Sequence, residues 1–266
     1  MANGSLVIVG SGIYTGHLTQ EARGWIECAD KVLYCISDAA TERLVLTLNY
    51  NAESLWVYYD DEKPRRETYR QMAERTLECV REGNRVCAVY YGHPGVLVDP
   101  SRASIALARS EGFSARIVPG ISSVDCLFCD LGVDPVSGCQ IFEATDVVLR
   151  RRLIDVYSHV IILQASSVGE TTYKFLGWSG KHMEHLRKHL LNYYDADHQV
   201  TFYAAPQFPL CEPTIVRIPV GEIGPGAPGQ LSTLYIPPIG RPPIYLPAVH
   251  LLNMDDLLKD IDLVKM

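Results

Sequence analysis

Residues 86–98 read VCAVYYGHPGVLV, an apolar run that stops at the sequence Tyr91-Gly92-His93-Pro94-Gly95 and then resumes. The first part has the composition of a buried strand. The two glycines permit backbone angles and close approaches that other residues forbid, and the proline stiffens the turn. In an open α/β sheet, ligands bind beyond the carboxyl ends of the strands, where this loop falls. The stretch therefore predicts a ligand-contacting loop in an α/β fold.

The sequence around this stretch alternates between strand-like and helix-like segments. The strand-like segments are residues 5–10, 31–37, 55–60 and 114–120. The helix-like segments are residues 18–30, 39–49, 65–83 and 101–112, and glycine stands at the end of the last two. This alternation indicates a mostly parallel sheet with helices on both faces.

The second half of the chain has more strands and fewer helices. Strand-like segments are residues 139–145, 159–166, 199–206, 214–220 and 231–238, and helices are predicted at 122–132 and 181–195. Such a run favours a mixed or antiparallel sheet. We therefore predict a two-domain α/β fold with a mostly parallel N-terminal sheet and a mixed C-terminal sheet. The predicted boundaries are 1–119, 120–240 and a proline-rich, weakly helical tail at 241–266.

Composition excludes several classes of function. The 266 residues carry a net charge of −7, and the basic residues are mostly dispersed, which argues against nucleic-acid binding. No apolar run approaches the roughly 20 residues that span a bilayer, and the N-terminus does not resemble a signal peptide. The eight cysteines lie mainly in apolar segments, as reduced thiols do. A cytoplasmic protein without membrane partners is predicted.

Three further motifs favour structural interpretations. Gly10-Ser11-Gly12 lacks the third glycine of a dinucleotide loop and is typical of a tight turn. The pair Cys126 and Cys129 has no second pair at zinc-ribbon distance, so buried thiols are predicted. His182, His185 and His189 alternate with basic residues and indicate a solvated helix face. No metal is predicted.

Seven motifs in order resemble the borosin peptide-backbone α-N-methyltransferases, within the tetrapyrrole-methylase-like class III methyltransferases. They are LVIVGSG, YYDDEKPRRETYRQM, YYGHPGVLV, IALARSEGFSARIVPGIS, DCLFCDLGVDP, FEAT and LSTLYIPP, and together they span about residues 4–240. The resemblance implies S-adenosylmethionine between two domains, with S-adenosylhomocysteine as product. It also implies a homodimer that encloses the substrate and forms a heterotetramer with two precursor peptides.

The proposed chemistry needs a proton acceptor and a cationic group. A peptide nitrogen is a weak nucleophile because its lone pair is delocalised into the carbonyl. Methylation is easier if the proton leaves while charge on the oxygen is stabilised. By resemblance, Arg65 contacts the amide oxygen, and Tyr69 removes or hydrogen-bonds the proton. Their i, i+4 spacing places both on one helix face. The resemblance adds Tyr59 as a supporting residue and Tyr91 as the residue that orients methyl donor and amide.

The resemblance also implies the residues that bind cofactor and peptide. The cofactor residues are Tyr91, His93, Val96, Val98, Ser122, Ser123, Gln164, Tyr203, Ala204, Ser232 and Thr233. Trp56 and Tyr58 are implied to contact the peptide, although Trp56 stands where another tyrosine is expected, so a hydroxyl role there is lost. From the residues alone, other interpretations stay open: the serines could cap a helix, and Tyr203 could belong to the core.

The substrate is predicted to be a separate ribosomal peptide. Some family members carry their substrate as a C-terminal extension, whereas residues 239–266 are short and end in a charged segment. Two alternatives remain: a small-molecule methylase that acts on a tetrapyrrole, and a catalytically silent peptide-binding homologue. A chain truncated from a longer fusion is also compatible with the sequence.

Overall fold

A computed structural model describes residues 4–175, 177, 179–226 and 233–256. The first half of the chain forms a five-stranded sheet in the order β3-β2-β4-β1-β5, and every neighbouring pair is parallel. The strands are β1 (Ser5–Gly10), β2 (Lys31–Cys35), β3 (Ala52–Ser54), β4 (Arg85–Tyr90) and β5 (Ser114–Ile117). The predicted parallel sheet is confirmed, and the loop at residues 91–95 follows its central strand.

Helices cover both faces of this sheet. They are α1 (Gln20–Cys28), α2 (Ala39–Leu48), α3 (Arg65–Arg81) and α4 (Asp99–Ser110). Strand β1 alternates between the faces, since Leu6 and Ile8 join one buried cluster whereas Val7 and Val9 join the other. Burial of each such side chain stabilises the fold by about 1.5–3 kcal/mol, which explains why the strands are apolar throughout.

The predicted strand at residues 55–60 is wrong. β3 ends at Ser54, and Leu55–Tyr58 form a short 3-10 helix. The Ser54 hydroxyl accepts a hydrogen bond from the Trp56 amide, and the Trp56 indole donates to the Ile36 carbonyl at 2.6 Å. Because these contacts come from the last residue of β3 and from the residue that follows β2, the strand-like composition of LWVYYD does not determine the backbone.

The second sheet is mixed, as predicted. Its order is β6-β7-β10-β8-β9, in which β6 and β7 are parallel and the other neighbours are antiparallel. The strands are β6 (Cys139–Glu143), β7 (His159–Leu163), β8 (Gln199–Ala204), β9 (Thr214–Pro219) and β10 (Thr233–Ile236). The two-sheet α/β architecture confirms the predicted fold class.

In the described part of the second half of the chain, four α-helices accompany the sheet. They are α5 (Ser123–Leu131), α6 (Ala144–Arg150), α7 (Met183–Leu190) and α8 (Leu246–Leu251). Helix α6 was not predicted: the strand expected to reach residue 145 ends at Glu143, whose carboxylate accepts hydrogen bonds from the Thr145 and Asp146 amides. The domain limits near residue 120 and 240 stay predictions, and residues 257–266 of the predicted tail lie outside the described range.

Two motif interpretations need correction. Cys126 is only half-buried and Cys129 is exposed, because α5 turns that side outward. His189 is buried and its Nε2 lies 2.9 Å from the Arg152 carbonyl, so it is part of the structure and not of a fully solvated face. His185 on the same helix is half exposed and lies 3.7 Å from Glu184.

Candidate active site

The loop of residues 91–95 packs closely against two other backbone segments, at Gly10 and at Gly120. A Cβ atom on Gly10 would lie 2.2 Å from the Gly92 carbonyl oxygen and 3.2 Å from the Gly120 Cα. Gly92 has φ of +70°, and its amide donates to the Gly12 carbonyl at 3.0 Å. The Gly10-Ser11-Gly12 turn therefore packs backbone on backbone at the carboxyl end of β1.

We expect Gly10→Ala to destabilise the protein by about 1–3 kcal/mol, because the added methyl group overpacks a contact between backbone segments. Gly24→Ala is the matched control. Gly24 lies within α1, and a Cβ added there would meet no atom within 4 Å, so alanine is expected to stabilise by about 0.5–1 kcal/mol. Urea unfolding measures both changes, and a Gly10→Ala protein as stable as the parent would contradict this packing.

A cavity adjoins the loop of residues 91–95, and we call it the loop cavity. Its described lining residues are Ile13, Tyr91, Gly92, His93, Val96, Leu97, Val98, Ser122, Ser123, Leu163, Gln164 and Thr233. The volume is about 220 Å³. His93 shapes the turn, since its Nδ1 accepts a hydrogen bond from the Gly95 amide at 3.0 Å. Eight of the eleven predicted cofactor residues thus line one cavity.

Two other predicted cofactor residues do not join this set, and a third cannot be placed because it lies outside the described residues. Tyr203 is 1% exposed, packs in the core beside α5 and donates a hydrogen bond to Asp130 at 2.5 Å. Ala204 ends β8 and is not among the described residues of the cavity wall. Ser232 lies outside the described residues. Ser122 lines the cavity and also caps α5, so both interpretations of that serine describe real contacts.

A second cavity adjoins the loop cavity, and we call it the aromatic cavity. It is lined by Cys35, Ser37, Trp56, Tyr59, Arg65, Tyr69, Met72, Tyr90, Tyr91, Leu97, Val98, Pro100, Gln164 and Tyr173. Tyr91, Leu97, Val98 and Gln164 line both cavities. Molecules bound in the two cavities would therefore lie next to each other, and both would contact these four residues.

All four predicted catalytic residues line the aromatic cavity. Arg65 and Tyr69 continue the buried stripe of α3, which runs on through Met72, Thr76 and Val80 at helical spacing. The same amphipathic pattern that packs the helix on the sheet therefore turns these two side chains toward the cavity. Their roles as catalytic groups stay predictions.

One side chain and two backbone carbonyls from the second half of the chain fix Arg65. Its guanidinium donates to the Gln164 side-chain oxygen at 3.4 Å and to the Glu170 carbonyl. Its amide donates to the Thr171 carbonyl at 2.8 Å. These contacts hold the guanidinium at the boundary between cavity and second sheet, where it presents a positive charge to any ligand inside.

The Tyr59 and Tyr69 rings meet edge to face with centroids 6.4 Å apart, and both side chains line the aromatic cavity. Burial raises the pKa of both phenols. For Tyr69, the positive charge of Arg65 and hydrogen bonding with Tyr59 act in the opposite direction. The Arg65 charge therefore favours the anionic form of Tyr69.

The other predicted aromatic residues differ in position: Tyr91 and Trp56 line the aromatic cavity, whereas Tyr58 does not. Tyr91 lies between the cavities, where burial raises its pKa and a hydrogen bond with Ser37 opposes the shift. Trp56 lines the aromatic cavity, with its indole N–H engaged by Ile36. Tyr58 does not line that cavity, and the charges near its phenol are those of Arg75 and Glu78 in α3 and of Glu53 in β3. Neighbouring positions of a 3-10 helix face different directions, so only the tryptophan of the two predicted peptide contacts reaches the cavity.

Backbone strain is present at the shared wall. Leu97 has φ of +53° and Gln164 has φ of +59°, and both side chains line both cavities. A left-handed conformation at such residues costs about 1–3 kcal/mol and is typical of sites where geometry serves function. Leu97 was not identified from the sequence, since nothing in VLV signals a positive φ.

Among the residues with described positions, no group of three or more histidine, cysteine, aspartate or glutamate side chains is arranged to hold a metal. No helix in the same part of the chain is long and apolar enough to cross a membrane.

Comparison with known families identifies the chain. A family model described as tetrapyrrole (corrin/porphyrin) methylases matches residues 5–205. The chain belongs to this family. Solved tetrapyrrole methylases share its fold: uroporphyrin-III-C-methyltransferase from Thermus thermophilus superposes with a TM-score of 0.59 at 20% identity, over 88% of this chain and 92% of that one. The methyltransferase CobJ gives 0.60 at 14% identity, over 91% and 97%.

Within the tetrapyrrole methylase family, the chain is similar to borosin-type proteins. The methyltransferase/ribosomally synthesized cyclic peptide dendrothelin A precursor of Dendrothele bispora is 43% identical over 94% of this chain and 61% of the relative. The corresponding omphalotin A precursor of Omphalotus olearius is 41% identical over 94% and 62%. A relative named as a type I borosin, from Coprinopsis marcescibilis, is 41% identical over 88% and 62%. The predicted resemblance is confirmed, and the chain spans about three fifths of these relatives.

Proposed function

We propose that this tetrapyrrole methylase family member transfers methyl groups from S-adenosylmethionine to backbone amide nitrogens of a ribosomally made peptide, repeatedly. One observation carries the proposal: Arg65 and Tyr69 lie together in a cavity that shares a wall with the loop cavity. A methyl donor and an amide acceptor need two adjoining sites, with charge stabilisation and proton acceptance on the acceptor side.

The residues of the loop cavity fit S-adenosylmethionine. The glycine contacts let backbone approach a ligand, Ser123 and Thr233 offer hydroxyl groups, and Val96 offers an apolar surface. The Tyr91 ring stands at the shared wall, where an aromatic face suits a sulfonium cation. When bound, this cofactor would supply an electrophilic methyl group.

The residues of the aromatic cavity would act on the acceptor amide. The Arg65 guanidinium would stabilise negative charge on the amide oxygen as the nitrogen loses its proton. The ionised Tyr69 oxygen would accept that proton, which breaks the N–H bond as the new N–CH3 bond forms. Transfer from a bound cofactor would leave the S–CH3 electron pair on sulfur, so that the product would be the thioether S-adenosylhomocysteine. Hydrogen bonding with Tyr59 would stabilise the anionic oxygen.

Several parts of this proposal concern partners. A wide groove of about 1040 Å³ is lined by α3, α4 and parts of the second half of the chain. It shares Arg65, Tyr69, Leu97 and Gln164 with the aromatic cavity and would offer a path for an extended peptide. We propose a homodimer that binds two peptides and acts in the cytoplasm. The prediction of a separate peptide stands beside relatives whose names combine methyltransferase and precursor in one chain.

Methyl transfer to a peptide tests the proposed function. The probe is the segment of the Omphalotus olearius precursor outside the matched region, supplied either as a separate peptide or joined to this chain. With S-adenosylmethionine present, we expect successive additions of methyl mass to the peptide. Modification of the separate peptide supports action in trans, and modification only of the joined form contradicts it. Transfer to a tetrapyrrole instead of either peptide would favour the small-molecule methylase, and cofactor binding without transfer would favour the silent homologue.

We expect Val96→Trp to weaken binding of S-adenosylmethionine about tenfold or more, because the larger ring fills the loop cavity and overpacking a formed site costs about 1–3 kcal/mol. Isothermal titration measures the affinity. Val136→Trp is the control, since Val136 is exposed beyond both cavities. Equal affinity of the Val96→Trp and parent proteins would contradict the placement of the cofactor.

A further inference from the structure

One side of the aromatic cavity is closed by a segment that the sequence did not single out. We call residues 170–175 the strap. The strap follows β7 of the second sheet in the chain. It lies against residues 61–65, the segment that leads into the first residue of α3. It places the Tyr173 ring in the wall of the aromatic cavity, whereas the described lining of the loop cavity does not include it.

Contacts on both sides of Tyr173 fix the strap. Before it, the Thr171 carbonyl accepts from the Arg65 amide at 2.8 Å, and Thr172 forms an antiparallel bridge with Pro64. After it, the Lys174 ammonium donates to the Asp61 carbonyl at 2.6 Å, and the Phe175 amide donates to the Asp61 carboxylate at 3.0 Å. The position of the backbone at residue 173 therefore does not depend on the Tyr173 side chain.

The Tyr173 ring completes an aromatic corner. Its centroid lies 4.6 Å from that of Tyr59 and 5.8 Å from that of Trp56, and those two rings are 4.8 Å apart. Three rings at mutual contact distance leave a rigid boundary of fixed size, because aromatic side chains have few rotamers and these three restrain one another. A residue bound beside Arg65 and Tyr69 would direct its side chain against this boundary or away from it.

We infer that Tyr173 sets the upper size of the side chain accepted at the residue that is methylated. The inference rests on the proposed function. Besides aromatic rings, the aromatic cavity is walled by Met72, Leu97, Val98 and Pro100. Tyr173 is thus a specificity-determining residue on the acceptor side.

The test compares acceptor side chains of different size in one peptide. The probe is the Omphalotus olearius precursor segment with valine or tryptophan at a single acceptor position, and initial methylation rates are measured at saturating cofactor. We expect Tyr173→Ala to raise the tryptophan-to-valine rate ratio about tenfold or more, since removal of one ring from a pocket changes discrimination on that scale. Affinity for S-adenosylmethionine should stay within about twofold because the ring does not line the loop cavity.

Two further variants separate ring size from general damage. Tyr173→Phe keeps the ring and should keep the parent ratio. Phe175→Ala removes an exposed ring of the same strap that contacts Tyr173 at 5.2 Å, and it too should keep the parent ratio. An unchanged ratio in Tyr173→Ala, or the same altered ratio in Phe175→Ala, would overturn the inference. A parent protein that methylates neither peptide would instead overturn the proposed function, and the inference with it.

Discussion

Replacement of Arg65 by alanine is expected to lower the rate of peptide methylation by about 10³-fold with little change in cofactor affinity. The guanidinium lines the aromatic cavity and is held by the Gln164 side chain and the Glu170 carbonyl. A fixed donor aimed at developing negative charge typically contributes about 10²–10³-fold, and a full positive charge acts at the upper end of that range. Rates are measured by intact-mass analysis of the peptide under single-turnover conditions.

Arg23→Ala is the control because it removes an exposed positive charge from α1, on the opposite face of the parallel sheet. Arg23 lines neither the aromatic cavity nor the wide groove. We expect a loss of less than about fivefold, as is typical of an exposed charge that acts only through its field. Equal losses in the two variants would show that general charge, and not a positioned guanidinium, supports the reaction.

Tyr69→Phe is expected to lower the methylation rate by about 10²–10³-fold, because it removes the oxygen that accepts the amide proton. Burial raises the pKa of Tyr69, so the phenol is mostly neutral at neutral pH and its ionised fraction grows as pH rises. The rate of the parent protein should therefore increase about tenfold per pH unit between about pH 7 and 9, and Tyr69→Phe should lose this dependence.

Tyr58→Phe provides the control for the loss of a phenol. Tyr58 is not among the residues that line the aromatic cavity, and its phenol lies near the charges of Arg75, Glu53 and Glu78. The variant should keep both the rate and the pH profile of the parent. The prediction would be contradicted if the parent rate did not change with pH and if Tyr69→Phe had only a small effect. Tyr69 would then contribute to binding only, and solvent would remove the proton.

Much of this architecture follows from local sequence patterns. Strands such as β1 and β4 are apolar on both faces because helices cover both, and this pattern predicts a parallel sheet without further information. The stripe of α3 likewise places Arg65 and Tyr69 on one face. Sequence periodicity was sufficient to predict where a side chain points when that orientation is set by the residue's own helix or strand.

The sequence failed where direction is set by distant contacts. The 3-10 helix at Leu55–Tyr58 is fixed in part by a hydrogen bond to the Ile36 carbonyl. The local pattern therefore could not show that Tyr59 lines the aromatic cavity and that Tyr58 does not. Arg65 meets Gln164 and Glu170 across 99 and 105 residues of sequence. No local pattern records such a contact. Tyr173 escaped notice for the same reason, since the strap has neither helical nor strand periodicity.

Localisation of the transferred methyl group tests the central claim most directly. We would incubate the protein and S-adenosylmethionine with an N-acetylated, C-amidated peptide built from glycine and valine, which has no nucleophilic side chain, and locate the added mass by tandem fragmentation. A second peptide carries proline at the methylated position, which has no backbone N–H. The account predicts methylation at the valine amide and its loss at that position in the proline peptide. An unmodified glycine-valine peptide, beside transfer to side chains of other peptides or to a tetrapyrrole, would contradict it.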